Sequence, residues 1–468
     1  MYQRLAIFLF SYVGLLLFMS FQDYGADVDS WYLVQNTDRM LERGTYFASR
    51  SPGFPLYELI LCFLIPLGSF FASNLFSLFA ALVLALCFFL QLRKEGIPQA
   101  EIAVYSLLTL PLYIIGASST IDYLPALSLQ WISFFLLYTA CEKDGNPHGL
   151  YLSAFVLGMA AGFRLTALSF IPASILFLFL KQRSFREIGA FGLTSLLAAF
   201  VAFLPVFLGP GFELPLDKSV LSLSYRIQVA TYHGISFLGV LPLLLLLIGS
   251  FLFLWDLRKR NYQFHFRLSA SEGFHASVLL IYALLFLLLP DESSYLLPLY
   301  PSLLYLIHKY FRPQLLPYFL AMIILSNLFI VELKGGESGQ RSLKPYFKKG
   351  YSWQNLDKRE HMQRMKKAVN RFLPEQKTLL MIEIPWVNTR DPNWTYDAEA
   401  RHFKKEGSNF YFGPYIFDRE DLRKKKNAGY RICVWREQKW EYYVMDLDDM
   451  IGREIEVVEL DELLGDDV

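Results

Sequence analysis

Long apolar runs separated by short polar connections fill the first 332 residues of this chain, and the pattern stops there. The runs lie at roughly 5–20, 75–92, 101–117, 123–141, 149–163, 165–180, 188–208, 236–255, 274–290, 294–310 and 314–332. Most are close to the length needed to cross a hydrocarbon core of ~30 Å. Lipid offers no partner to a backbone N–H or C=O, so each run is expected to be helical. A further run, about 55–72, holds Pro55, Glu58 and Pro66 and is expected to lie along the membrane surface or re-enter rather than cross. Beyond 332 the pattern becomes that of a soluble domain. Helical periodicity covers about 356–373 and 418–428, and strand-like runs fall at 378–384, 430–436 and 441–447. That alternation predicts a small α/β domain at 333–468 following a transmembrane domain at 1–332. No internal repeat and no glycine-rich phosphate loop is visible.

Charge assigns sides to this drawing. Basic residues cluster at Arg93/Lys94, Lys143, Lys181/Arg183/Arg186, Arg258/Lys259/Arg260 and Lys309/Arg312. With Arg4 also inside, the positive-inside rule puts every cluster on the cytoplasmic face, provided that 55–72 does not cross. The connections left outside are 21–74, 118–122, the turn around Arg164, 209–235 and 291–293. An odd number of crossings, about eleven, then places 333–468 outside as well. In a rival drawing 55–72 crosses and 149–180 is one helix. It exports Arg93/Lys94 and Lys143, and it needs a helix of ~48 Å with Arg164 near its middle, so it is disfavoured. The N-terminus has a signal-like charge and apolar core, but no small-x-small cleavage pattern follows, so it is expected to stay as the first helix.

Composition agrees with a membrane assignment. Hydrophobic residues make up 54% and charged residues 19% of the chain, and the mean hydropathy is +0.32, which excludes an ordinary soluble enzyme. A net charge of +1 gives no reason to expect nucleic acid. Cys62, Cys87 and Cys141 lie in apolar segments and Cys433 in the tail, so neither a disulfide framework nor a CxxC metal site is available. The sequon Asn393-Trp394-Thr395 matters only where the host glycosylates.

The candidate chemistry sits in the connections expected outside. Residues 21–60 form a long acidic and aromatic stretch directly behind the first helix, with an Asp27-x-Asp29 pair. The same side supplies Asp23 and Arg50, then Asp122, Arg164, Tyr225, Arg226 and His233, and finally Asp291, Glu292 and Tyr295. One charge at a helix end is usually snorkelling. A whole set of carboxylates and arginines on one face points further. A carboxylate within reach of a hydroxyl can act as general base. An arginine can hold a phosphate through two parallel hydrogen bonds. A membrane groove suits a lipid tail. Together these describe glycosyl transfer from a lipid-phosphate sugar.

Individual residues keep a plainer reading beside that one. Asp29 is the first choice for the base. Asp27 is the second, or a helix N-cap. Arg50 is a phosphate ligand or an ion-pair partner for one of those aspartates. Arg164 and Arg226 are candidate phosphate ligands. Tyr295 is a hydroxyl donor to phosphate or an interfacial aromatic. His233 reads as structural. Pro52, Gly53 and Glu58 are expected to shape the turn into the 55–72 helix. Two carboxylates can share a divalent metal, but no histidine accompanies them at ligand spacing, and no metal is assigned.

These residues carry a family resemblance. The chain resembles the GT-C superfamily of membrane glycosyltransferases, near the protein O-mannosyltransferases and the aminoarabinose lipid A transferases. An acidic motif after the first helix is matched by Asp29-Ser30-Trp31-Tyr32, continuing to Met40-Leu41-Glu42-Arg43-Gly44. A proline-rich lead into a juxtamembrane helix is matched by Ser49-Arg50-Ser51-Pro52-Gly53-Phe54-Pro55-Leu56-Tyr57-Glu58. Asp122 matches a second-loop aspartate, and Tyr295-Leu296-Leu297-Pro298-Leu299-Tyr300-Pro301 matches a late Tyr-x-x-Pro pattern. The chain departs in having Asp-Ser at 29–30 for Asp-Glu, and Ser294 where the family often has Arg. The resemblance implies a first-loop Asp base, a polyprenyl-phosphate sugar donor and a juxtamembrane helix that does not cross. The acceptor is a glycan, lipid or protein, and a bacterial inner membrane is the expected location, with the endoplasmic reticulum as alternative. A transporter or flippase would show repeated halves and midplane charges instead. A non-enzymatic scaffold would leave the one-sided charges without a purpose.

Overall fold

The computed structural model describes residues 2–142, 146, 148–209, 223–224, 226–227, 230–231, 238–259, 268–289, 293–334, 344–371, 374, 376–381, 394–397, 402–405, 407–413, 424–435 and 456–458. The chain divides into two compact units, one of Met1–Gly25 with Arg43–Leu356 and the other of Ala26–Glu42 with Asp357–Val468.

The first unit is predominantly helical. Its helices are α1 (Tyr2–Ser20), α3 (Pro55–Lys94), α4 (Ala100–Leu108), α5 (Pro111–Ala117), α6 (Tyr123–Ala140), α7 (His148–Ala161), α8 (Phe170–Leu180), α9 (Phe185–Ala202), α10 (Leu204–Leu208), α11 (Val240–Lys259), α12 (Ala270–Leu288), α13 (Leu299–Tyr310) and α14 (Leu316–Leu328). Helix α2 (Val28–Arg43) belongs, up to Glu42, to the second unit, and α15 (Tyr351–Arg371) runs from the first unit into the second. Each of the eleven apolar runs expected to be helical carries helix. Among the described residues, four helices are long and apolar enough to cross a membrane: Pro55–Lys94, Tyr123–Ala140, Phe185–Ala202 and Ala270–Leu288. The pair α4 and α5 makes a fifth if its 66° bend counts as one broken span. Apolar side chains such as Phe79, Leu193, Leu247, Phe251 and Leu280 are more than half exposed, as lipid-facing residues would be.

Where the helices break, local sequence supplies the reason. Pro111 separates α4 from α5 and Pro205 starts α10, because proline lacks an N–H and clashes with the preceding turn. Ser184 and Ser269 start α9 and α12 with reciprocal capping boxes to Glu187 and Glu272. Helix α3 loses helical geometry at Gly68 (φ −159°, ψ 22°) and Ser69 (φ 53°, ψ −140°). Unbroken, α3 would be about 60 Å long, twice the hydrocarbon thickness. The break leaves a piece of about 20 Å, too short to span, and one of about 37 Å. One expectation needs correcting. The run 314–332 is not helical throughout, since α14 ends at Leu328 and β1 (Phe329–Lys334) follows, paired antiparallel with β2 (Lys344–Lys349). Val331 and Ile330 favour a strand, and hydropathy alone does not separate the two states.

The second unit holds a six-stranded sheet in the order β4-β5-β6-β3-β7-β8, from β3 (Thr378–Met381), β4 (Trp394–Asp397), β5 (His402–Lys405), β6 (Phe410–Gly413), β7 (Arg431–Trp435) and β8 (Glu456–Val458). The central strand β3 runs parallel to β6 and β7, while β4, β5 and β6 pair antiparallel. Adjacent residues Leu379 and Leu380 are both buried, as are Ile432 and Cys433, so both faces of the parallel core are covered. Of the runs expected here, 378–384 and 430–436 carry β3 and β7, and 441–447 lies outside the described residues.

Candidate functional site

Asp122 is the centre of a charged cluster in the helical unit. It stands at the N-cap position of α6, yet its carboxylate makes no capping bond. That forgoes about 0.5–2 kcal/mol of helix stabilisation. Instead Oδ2 accepts from Arg164 Nη1 at 2.7 Å, and Oδ1 accepts from Arg50 Nη2 at 3.2 Å. The Asp122 side chain is fully buried, whereas Arg50 keeps 20% of its side-chain surface and Arg164 keeps 12%. A second nitrogen of Arg164, Nη2, donates to Ser294 Oγ at 2.8 Å. The guanidinium lies 4.3 Å from the Tyr123 ring centroid and 5.6 Å from that of Tyr295, both within cation–π range. The structure thus gathers Arg50, Asp122 and Arg164, from three connections expected on one side of the membrane, with Ser294 and Tyr295 from the start of the run that follows a fourth. Ser294 accepts from Arg164, so the guanidinium beside Tyr295 comes from the turn after α7.

Local geometry fixes each member. The 118–122 loop is held by Thr120, whose N–H donates to the Tyr24 carbonyl at 2.7 Å and whose hydroxyl donates to Asn74 Oδ1 at 2.8 Å. Asn74 in turn donates to the carbonyls of Ser20 and Asp23. Arg164 leaves α7 in an extended conformation just before a 3-10 turn at Leu165–Ser169. Its neighbour Gly162 accepts from Leu56 N–H at 2.9 Å, and a Cβ there would sit 2.6 Å from Leu56 Cγ. That close approach sets the Arg164 turn against the start of α3.

The segment bearing Arg50 is stapled to α3 by Glu58, which is fully buried. Its carboxylate accepts from the Tyr46 hydroxyl at 2.5 Å, from the Ser49 N–H at 2.7 Å and from the Phe54 N–H at 3.2 Å. Burial, then the Glu58 charge, push the Tyr46 phenol well above its ordinary pKa, so it stays a donor. Gly53 adopts φ +99°, and a Cβ there would meet the Tyr46 hydroxyl at 2.7 Å, so only glycine fits the turn. Pro52 precedes it in the same turn.

A narrow cleft adjoins Arg164. Its lining includes Gln130, Thr166, Tyr282, Ser294 and Tyr295 besides Arg164 itself. It has about 10 Å³ of room, near the minimum for one water-sized group.

Asp27 and Asp29 belong to the second unit. Asp27 immediately precedes α2, and its Oδ1 accepts from the Asp29 N–H at 2.9 Å, which is N-cap geometry. Asp29 sits in the first turn of α2, where a carboxylate also complements the helix dipole. Arg226 is half-buried within a connection of which few residues are described. Tyr225, His233, Asp291 and Glu292, like Lys143 and Arg260, lie outside the described residues. Among the described residues no three of His, Cys, Asp and Glu gather as a metal site.

Sequence reasoning missed further polar contacts, made by connections expected on the opposite side and by residues within the adjoining runs. Gln91 Nε2 meets His275 Nε2 at 2.9 Å, and His275 Nδ1 meets Ser302 Oγ at 3.1 Å. Tyr305 donates to Glu95 at 2.5 Å, Lys309 pairs with Glu272 at 3.0 Å, and Lys94 pairs with Glu142 at 2.7 Å. Gln130 and Tyr282 were missed as well, although an amide inside an apolar helix is itself a signal.

A bundle of apolar helices whose loop ends gather two arginines around a buried carboxylate defines a polytopic membrane protein with a built polar site. Comparison with known proteins narrows this class. Residues 50–208, which hold Arg50, Glu58, Asp122 and Arg164, match the model of the dolichyl-phosphate-mannose-protein mannosyltransferase family. The match bears out the resemblance to GT-C membrane glycosyltransferases, and that is the enzyme class it supports. Two crystal structures of ArnT from Cupriavidus metallidurans, one bound to undecaprenyl phosphate and one in the apo state, are also similar. Their TM-score is 0.48 in each case, at 12% and 15% identity, covering 69% of this chain and 63% and 62% of theirs. The chain therefore matches less than two thirds of the length of those proteins. No curated protein matches it.

Proposed function

We propose that this chain is an inverting membrane glycosyltransferase that moves a sugar from a polyprenyl-phosphate-linked donor to an acceptor hydroxyl on the extracytoplasmic face. The observation that carries the proposal is the buried Asp122 flanked by Arg50 and Arg164, beside Ser294 and Tyr295. Charge this deep in an apolar bundle is costly, and an anionic substrate gives it a use. The family match supports the donor class, because a dolichyl-phosphate mannose is a polyprenyl-phosphate sugar. In the reaction a carboxylate takes the proton of the acceptor hydroxyl. The acceptor oxygen then bonds the anomeric carbon as the bond from that carbon to the phosphate oxygen breaks, with the electron pair leaving on the lipid phosphate. A single displacement of this kind inverts the anomeric centre. Arg50, Arg164 and the Tyr295 hydroxyl stabilise the departing phosphate, and Arg226 is a further phosphate ligand. Asp29 is assigned the base, with Asp27 as the second choice.

About eleven spans, the site and the 333–468 domain outside, and a bacterial inner membrane complete the reading. The separation of connecting-loop contacts into two groups, Arg50–Asp122–Arg164–Ser294 and Lys94–Glu142 with Glu95–Tyr305, supports the sidedness. Purified protein in lipid nanodiscs is given a labelled polyprenyl-phosphate sugar and candidate acceptors. Wild type releases the lipid phosphate and transfers the label, and Asp29→Asn lowers the rate by about 10²–10⁴-fold, the usual worth of a general base. Near-normal rates in both Asp29→Asn and Asp27→Asn remove the base. Accessibility labelling that finds positions 122 and 164 facing the cytoplasm with position 29 on the far side removes the whole reading.

A further inference from the structure

The cleft beside Arg164 has an imbalance of donors and acceptors. Tyr282 Oη lies 2.9 Å from the Thr166 carbonyl oxygen and 3.2 Å from Gln130 Nε2. A carbonyl oxygen only accepts, so the single phenolic proton goes to Thr166. The phenol oxygen is then the acceptor for Gln130, which must present its NH₂ to it. This fixes the orientation of the amide and turns Oε1 away from Tyr282. Gln130 is 2% exposed, and no group among the described residues donates to its Oε1. A buried acceptor left so costs about 1–3 kcal/mol, and such groups are few in native proteins and each calls for an explanation. Gln130 shares the cleft with Arg164, Ser294 and Tyr295.

We infer that Gln130 Oε1 reads a hydroxyl of the transferred sugar, inserted into this cleft while the adjoining phosphate is held at Arg164. The inference rests on the glycosyltransferase reading above and adds a specificity-determining residue to it. The occupant must be a hydrogen-bond donor, which excludes the phosphate itself, whose ionised oxygens only accept. The room of about 10 Å³ suits one water-sized group, which is the size of a hydroxyl. A site built to bond a hydroxyl discriminates strongly against the analogue lacking it, because the acceptor is then buried without a partner.

The test measures binding to the purified full-length protein in nanodiscs. The probes are polyprenyl phosphate, polyprenyl-phosphate mannose and the monodeoxy analogues of that mannose. In wild type one deoxy position weakens binding tenfold or more. Gln130→Leu weakens the mannose lipid by a similar factor, no longer responds to that deoxy position, and binds bare polyprenyl phosphate as wild type does. Gln130→Met replaces the leucine variant if that protein elutes as aggregate. Equal binding of all deoxy analogues to wild type, or discrimination that survives in Gln130→Leu, overturns the inference and leaves the cleft to a water molecule. Failure of wild type to bind polyprenyl phosphate at all overturns the glycosyltransferase reading first, and this inference with it.

Discussion

Asp122 holds two guanidinium groups unequally, and the inequality is measurable. The bond to Arg164 is 2.7 Å long, to a side chain 12% exposed; the bond to Arg50 is 3.2 Å, to one 20% exposed. Hydrogen bonds to charged groups contribute about 1.5–3 kcal/mol each. Breaking a buried ion pair by removing one partner costs about 3–5 kcal/mol, because the survivor is left desolvated. Asp122→Ala should therefore destabilise the protein by about 3–5 kcal/mol. Double-mutant cycles separate the two contacts, since each cancels whatever else the partners touch. The coupling of Asp122 with Arg164 should be about 2 kcal/mol, and that with Arg50 about 1 kcal/mol or less. Asp122→Asn keeps the shape without the charge and should fall between wild type and alanine. Reversible SDS unfolding of the purified protein in mixed micelles, followed by far-UV circular dichroism, gives the free energies. Equal couplings, or an Arg164 coupling under about 0.5 kcal/mol, would refute the account of Asp122 as the anchor of the cluster.

Three further outcomes are expected. Gly158→Ala places a Cβ 2.3 Å from the Ser195 carbonyl oxygen and 2.5 Å from Ala198 Cβ, so α7 and α9 must separate; a loss of about 1–3 kcal/mol is expected in the same unfolding assay. Glu58→Ala leaves the Ser49 and Phe54 N–H groups without their acceptor, so trypsin should cut after Arg50 several-fold faster than in wild type, with Glu58→Gln intermediate. Ser269→Ala removes the hydroxyl that caps α12 and should cost about 1 kcal/mol, with a larger loss in Glu272→Ala, which also breaks the pair with Lys309.

Much of this was legible in the chain because lipid imposes a simple rule. Apolar runs must become helices, and those from 5–20 to 294–310 did so within a few residues of the expected ends. The 314–332 run shows where the rule fails, since Phe329 and Ile330 are as apolar as the helix before them and only pairing with Lys348 and Lys349 makes them a strand. The cluster was half legible. One-sided charge marked Arg50, Asp122 and Arg164 as a group, but nothing in the sequence said that Asp122 would decline to cap its helix. Arg50 was read as a phosphate ligand or an ion-pair partner of a first-loop aspartate, and its ion pair with Asp122, 72 positions on, is a contact no local pattern reports. Gln130, Tyr282 and Thr166 meet only in three dimensions, so the accounting that singles out the Gln130 oxygen needs the structure. Glu58 was placed in the right turn for a general reason, whereas its three specific bonds come from the way residues 46–54 curl back over it.

The break at Gly68 and Ser69 has a mechanical meaning for the arginine that Glu58 holds in place. Those two residues leave helical φ/ψ, so the short rod behind Arg50 and the long one beyond it are not one straight lever. That guanidinium is mounted on a stub tied to the Arg164 turn through Leu56 and Gly162, and not on the longer rod.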